Sequence, residues 1–203
     1  MSNSGVAEVN GTIGTLTLNG GTLRGGGTVT GGVTIDSGDI LRPGNSAGQI
    51  TVGNVTLGAG GRYVFELRDA TGAAGVGYDS VLNLGALAIT AGTTSGTQFT
   101  IAITTLNTSN QPGPASNFDS AQPFSFVLVQ NAGGVTGFDP ARFTIDSTGF
   151  QNGLNGGSFA LALSGNDLVL NFAPVPEPGT CTLLAFALGG AAAIRFRRAR
   201  RTR

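Results

Sequence analysis

Cleaving a glycosidic bond takes two carboxyl groups held on either side of it, and the sequence offers two close pairs, Asp36 with Asp39 and Asp139 with Asp146. It offers little else. There is no His and no Lys, and the single Cys, Cys181, falls inside an apolar run. The usual bases and nucleophiles are therefore missing, and a Ser-His-Asp triad is excluded. Both carboxylate pairs also have a plainer reading. Asp36 and Asp39 border a Ser-Gly turn, where Asp bonds nearby backbone, and Asp139 precedes Pro140 in a turn-opening Gly-Phe-Asp-Pro. No catalytic residue is expected. The Gly-Gly-x-Gly-x-Asp spacing that binds calcium in coiled β structures is absent, so no metal or cofactor is expected either. The run Gly25-Gly26-Gly27 has neither a helical pattern nor a Lys behind it, and reads as a turn rather than a phosphate loop.

A third arrangement has chemistry done to it rather than by it. In Pro176-Glu177-Pro178 the two prolines hold the backbone extended and forbid helix, which keeps the segment accessible to a protease. From Cys181 to Ile194 the chain is apolar apart from Thr182, and Arg195, Arg197, Arg198, Arg200, Arg201 and Arg203 follow. The 16 residues from Gly179 to Ile194 make about 24 Å of helix. That is short for an apolar slab of about 30 Å, so Arg195 has to snorkel. Leu183, Leu184, Phe186, Leu188 and Ile194 supply roughly −2 to −3 kcal/mol of insertion energy. A short transmembrane helix with so weak a hold suits a temporary anchor. A buried core helix does not carry arginines at one end and Pro-Glu-Pro at the other.

Charge is distributed accordingly. Lys plus Arg and Asp plus Glu both number 11, for a formal net charge of zero, but ten of the acids precede Ala173 and six of the arginines lie in the last nine residues. An acidic body gives no footprint for a phosphate backbone, which excludes nucleic acid as a partner. The basic tail directly behind an apolar run favours anionic membrane lipid. Short basic flanks stay cytoplasmic, which places the tail inside and the body outside.

The elements in front of this signal read as strands. Glycine contributes 35 of 203 residues, as expected for short strands joined by tight turns. One phrase recurs, a strand end running into glycine: Thr17-Leu18-Asn19-Gly20-Gly21, Thr34-Ile35-Asp36-Ser37-Gly38, Thr56-Leu57-Gly58-Ala59-Gly60 and, more loosely, Ala88-Ile89-Thr90-Ala91-Gly92. Its first spacings match one coil of a β-solenoid, and the longer third spacing leaves room for an inserted loop at residues 69–78. Period-two alternation places Tyr63, Phe65 and Leu67 on one face and Arg62, Glu66 and Arg68 on the other. Phe99/Ile101/Ile103, Phe124/Phe126/Leu128, Phe159/Leu161/Leu163 and Leu168/Leu170/Phe172 are similar core faces. The expected organisation is a polar N-terminal segment (1–11), a solenoid region (12–106), a proline-rich loop (107–123), a C-terminal β cap (124–173) and the terminal signal (174–203). Residues 1–11 lack the charged and apolar regions of a signal peptide, which an exported protein requires; this points to a fragment or a misplaced start.

Two resemblances attach to these residues. Gly27-Thr28-Val29-Thr30-Gly31-Gly32-Val33-Thr34-Ile35, Leu41-Arg42-Pro43-Gly44-Asn45-Ser46-Ala47-Gly48, Tyr63-Val64-Phe65-Glu66-Leu67 and Gly77-Tyr78-Asp79-Ser80-Val81 together resemble the autotransporter-associated β-strand repeat. That resemblance implies a right-handed parallel β-helix at a bacterial surface, and no shared activity. The terminal sequence, with Pro-Glu-Pro, apolar run and arginine cluster in order, resembles the PEP-CTERM sorting domain. It implies recognition of Pro176, Glu177 and Pro178 by an exosortase, a membrane-embedded processing enzyme. The expectation is thus an all-β, non-enzymatic surface or extracellular-matrix protein that passes through a single-pass inner-membrane intermediate. The rival is a carbohydrate-binding or carbohydrate-cleaving β-helix whose partner is extracellular polysaccharide. The absence of Trp and the core-like placement of most Phe residues weigh against it.

Overall fold

The computed structural model describes residues 2–175. Strands β1 (Ser2–Asn3), β2 (Val6–Glu8), β3 (Thr12–Ile13), β4 (Thr17–Leu18), β5 (Thr22–Gly25), β6 (Thr28–Ile35), β7 (Ile40–Pro43), β8 (Gln49–Leu57) and β9 (Arg62–Leu67) lead into a loop. After it come β10 (Ser80–Asn83), β11 (Leu87–Ile89), β12 (Phe99–Thr105), β13 (Phe124–Asn131), β14 (Val135–Thr136), β15 (Phe143–Gly149), β16 (Ser158–Ser164) and β17 (Asp167–Ala173). Among the described residues the one helical piece is a 3-10 turn at Pro140–Arg142. None of the described segments is a helix long and apolar enough to cross a membrane. The expected transmembrane helix lies outside the described residues.

The described residues are all-β, and apart from β1 and β4, which pair with each other, the strands alternate between two sheets. One sheet is parallel throughout, in the order β2-β5-β7-β9-β12-β15. The other stacks β3, β6, β8, then β10 and β11 end to end, then β13 and β14, all parallel. Each circuit of the chain therefore adds to both sheets. The circuits lengthen along the sequence, as the partners Val6 to Thr22, Thr22 to Ile40, Ile40 to Arg62 and Arg62 to Thr100 show. Extra length goes into loops between strands, where it costs little closure entropy. Two antiparallel strands, β17 on β13 and β16 on β17, end the second sheet.

Lateral register explains the recurring phrase. Thr34 pairs with Thr56, Thr56 with Ala88 and Ala88 with Thr136, so these positions lie side by side. Their inward neighbours Ile35, Leu57 and Ile89 are buried in the same register. A further member, Val135-Thr136-Gly137, escapes a sequence search because β14 is only two residues long. In the first sheet Leu23, Leu41, Tyr63 and Ile101 form a matching buried ladder, continued by the half-buried Ile145. Each fully buried side chain of this size contributes about 1.5–3 kcal/mol, and none could be covered by its own circuit alone.

Close packing between circuits explains the glycines at the corners. Gly25 has φ +105°, and a Cβ there would run into the Val9 backbone. Gly44, at φ +76°, and Gly48 touch backbone to backbone, so a Cβ on Gly44 would lie 2.8 Å from the Gly48 nitrogen.

Two side-chain placements differ from the alternation. Leu163 is 38% exposed, because β16 is the edge strand. Glu66, on the outward face of β9, is fully buried. The loop between β9 and β10 folds back along β9, with Arg68 and Asp69 N–H groups donating to the Gly77 carbonyl and Asp79 N–H to that of Glu66. Strands also begin earlier than the polar character of residues 1–11 indicates, since β1 and β2 lie within them.

Candidate functional site

The sequence singles out carboxylates, and the structure gives Asp39, Asp139 and Asp146 local partners. Asp39 is 2% exposed; Oδ1 accepts from Gly20 N (2.8 Å) and Gly21 N (3.2 Å), and Oδ2 from Asp36 N (3.2 Å). It ties one circuit's turn to the preceding one. Asp36 is exposed beside it, on an open polar recess lined with Thr15, Thr17, Thr34 and Ser37. Desolvation, then the neighbouring Asp39 carboxylate, raises the Asp36 carboxyl above its ordinary value. Asp39 is taken up by three backbone N–H groups, so the pair does not offer two free carboxyls on either side of a glycosidic bond.

Asp139 and Asp146 each bond groups of their own surroundings. Asp139 caps the 3-10 turn, accepting from Ala141 N at 2.9 Å. Asp146 accepts from Thr148 Oγ1 (2.6 Å) and N (3.1 Å) and pairs with Arg62 at 2.9 Å. Thr148 first, and Arg62 after it, lower the Asp146 carboxyl to about 2. Among the described residues no group of three His, Cys, Asp or Glu side chains is placed to hold a metal.

A more unusual polar cluster, Arg42, Glu66 and Asp79, was not singled out from sequence. Asp79 is fully buried; Oδ1 accepts from Gly48 N at 2.8 Å and Oδ2 from Glu66 N at 3.1 Å. Glu66 Oε1 receives Nε (3.0 Å) and Nη2 of Arg42, whose side chain is 47% exposed. Glu66 Oε2 is buried without a partner. Burial, and then the Glu66 carboxylate, push the Asp79 carboxyl well above the usual range, against the opposing pull of its two N–H donors and Arg42. The cluster thus joins the Pro-Gly-Asn-Ser-Ala-Gly turn, β9 and the loop before β10. These are the phrases that carried the repeat resemblance. The available signal was a charged residue inside each of those phrases in a chain with only 11% charged residues. With Asp79 turned onto the backbone of two separate segments and Glu66 onto Arg42, the cluster acts as a clasp.

The remaining site is the chain's exit. Strand β17 ends at Ala173, paired with Ser158, and Val175 is 54% exposed. Pro176, Glu177 and Pro178, the apolar residues Leu183, Leu184, Phe186, Leu188 and Ile194, and the arginine tail lie outside the described residues. The sequence beyond the last strand is where a comparison with protein families finds a match. An all-β body followed by a terminal signal is the class of protein that fold and sequence define. Residues 174–201 match the PEP-CTERM protein-sorting motif. No curated protein matches the chain.

Proposed function

We propose that this chain is a non-enzymatic exported protein of the cell surface or extracellular matrix, held briefly at the inner membrane and released by an exosortase. The observation that carries the reading is the sorting-motif match at 174–201, which begins directly after the last strand. In this reading Pro176, Glu177 and Pro178 form the recognition segment. The apolar run spans the membrane, and the arginines stay in the cytoplasm on the anionic lipid side. The body folds outside as a right-handed parallel β-solenoid of the autotransporter-associated type, which is favoured by the alternation of strands between two parallel sheets and the right-handed preference of parallel crossovers. Its role is structural, a reading supported by Asp39, Asp79, Asp139 and Asp146, which bind backbone, hydroxyl or guanidinium groups of the protein itself.

Expression in a host that has the sorting enzyme tests this. Glu177→Ala protein is expected to accumulate at full length in the inner-membrane fraction, while the unaltered chain is shortened and released. Equal processing of both would remove Glu177 from the recognition segment.

A further inference from the structure

The corner of the body from which the sorting signal leaves is built differently from the rest of the surface. Phe118 packs against Phe124, Phe150 and Phe172 with ring centroids 5.1, 4.9 and 5.0 Å apart, and Phe159 closes the cluster on Phe150 and Phe172 at 5.2 Å each. Phe172 is fully buried, but the other four are only partly covered. They surround the end of β17, where Phe172 pairs with Phe124 on one side and Phe159 on the other. Val175, more than half exposed, lies against the turn at Gly156.

Charge is depleted at the same corner. The loop of residues 107–123 contains one charged side chain, Asp119, and residues 149–166 contain none. The outer face of the parallel sheet, in contrast, carries the pairs Glu8–Arg24, Arg42–Glu66 and Arg62–Asp146.

The tether is short. Five residues, Pro174 to Pro178, separate the last paired residue from the run that begins at Gly179. Fully extended they reach at most about 18 Å, of which a headgroup region of about 5–7 Å takes up a part. Whichever corner β17 ends at therefore stays within about 10 Å of the membrane surface whenever the helix segment from Gly179 is inserted. A corner rich in half-covered aromatic rings and poor in charge suits the interface, where apolar rings leave water without entering the hydrocarbon core.

We infer that the Phe118/Phe124/Phe150/Phe159 corner docks onto the lipid interface while the protein is membrane-held, presenting the body in one orientation to the processing enzyme. This rests on the anchored reading above.

The full chain contains no Trp, so a single introduced Trp reports alone. Phe118→Trp and, as a reference at the opposite end of the sheets, Val6→Trp are incorporated into phosphatidylethanolamine and phosphatidylglycerol vesicles whose acyl chains are brominated near the headgroup. Val6 is 59% exposed on β2 and tolerates the change. The expected result is several-fold stronger quenching in the Phe118→Trp chain. Equal quenching in two chains that both sediment with vesicles overturns the docking and leaves the anchored reading standing. Failure of the full chain to sediment with vesicles overturns the anchored reading itself. If Phe118→Trp loses its strand spectrum, the exposed loop residue Gln122, two positions before Phe124, is replaced by Trp and read in the same way.

Discussion

Replacing Asp79 by Ala should be among the most damaging single changes in the body, although it deletes only a carboxyl group. The carboxylate accepts hydrogen bonds from Gly48 N and Glu66 N, of which the Glu66 donor is buried and the Gly48 donor partly so. Each buried N–H left unpaired costs about 1–3 kcal/mol. Relief from burying an acid beside Glu66 offsets part of that, leaving a net loss of about 3 kcal/mol. For a chain of this size that is a fall in Tm of roughly 6–12 °C. Asp79→Asn keeps one acceptor and turns an amide donor toward the other N–H, so its loss should be about half as large. The assay is urea unfolding of a soluble variant ending at Pro174, followed by far-UV circular dichroism across pH. Burial and Glu66 raise the Asp79 carboxyl in the folded state, so folded protein keeps its proton to higher pH than the unfolded chain does. The stabilisation is complete below the unfolded value of about 4 and is lost as pH rises through the folded value. Unaltered protein should therefore weaken on moving from acid to alkaline pH by a component that Asp79→Asn lacks. A Tm for Asp79→Ala within a degree or two of the unaltered body would refute the clasp.

Three further outcomes are expected. Gly25→Ala should destabilise the body by more than about 1 kcal/mol, since it combines a left-handed backbone with a clash against Val9; thermal melts check it. Asp146→Asn should remove stability that is present above the unfolded carboxylate value of about 3.8 and lost as pH falls through about 2. The shift corresponds to about 2.4 kcal/mol before screening and about 1 kcal/mol at this partly exposed site, measured as a difference in acid unfolding curves. The purified body should release no reducing ends or unsaturated products from a broad panel of polysaccharides, and a chelator should leave its strand spectrum unchanged. Turnover abolished by Asn at Asp36, Asp39, Asp139 or Asp146 would instead make it an enzyme.

The all-β character and much of the register were legible because both come from short-range pattern. Alternation marked Tyr63, Phe65 and Leu67 as core, and the Thr-to-Gly phrase marked Thr34, Thr56 and Ala88, which pair laterally. The burial of Glu66 was not legible. Alternation places it outside, and only the loop that returns through Gly77 and Asp79 covers it. The Phe corner was hidden for a related reason. Its rings come from two loops and three strands, and each strand read alone assigns its Phe to a core face. The turn roles of Asp39 and Asp139 were readable because Asp beside Ser-Gly or before Pro bonds backbone within a few residues. The second half of Asp39's role, holding Gly20 and Gly21 of the neighbouring circuit, needed the stacking itself.

The account turns on what happens behind Val175, and intact-mass measurement of the mature protein from its native cells tests that most directly. The expected mass is that of a chain ending at or near Pro176-Glu177-Pro178, without the apolar run and without the arginines, plus any group attached on release. A released protein whose mass still includes every residue through Arg203 would contradict it.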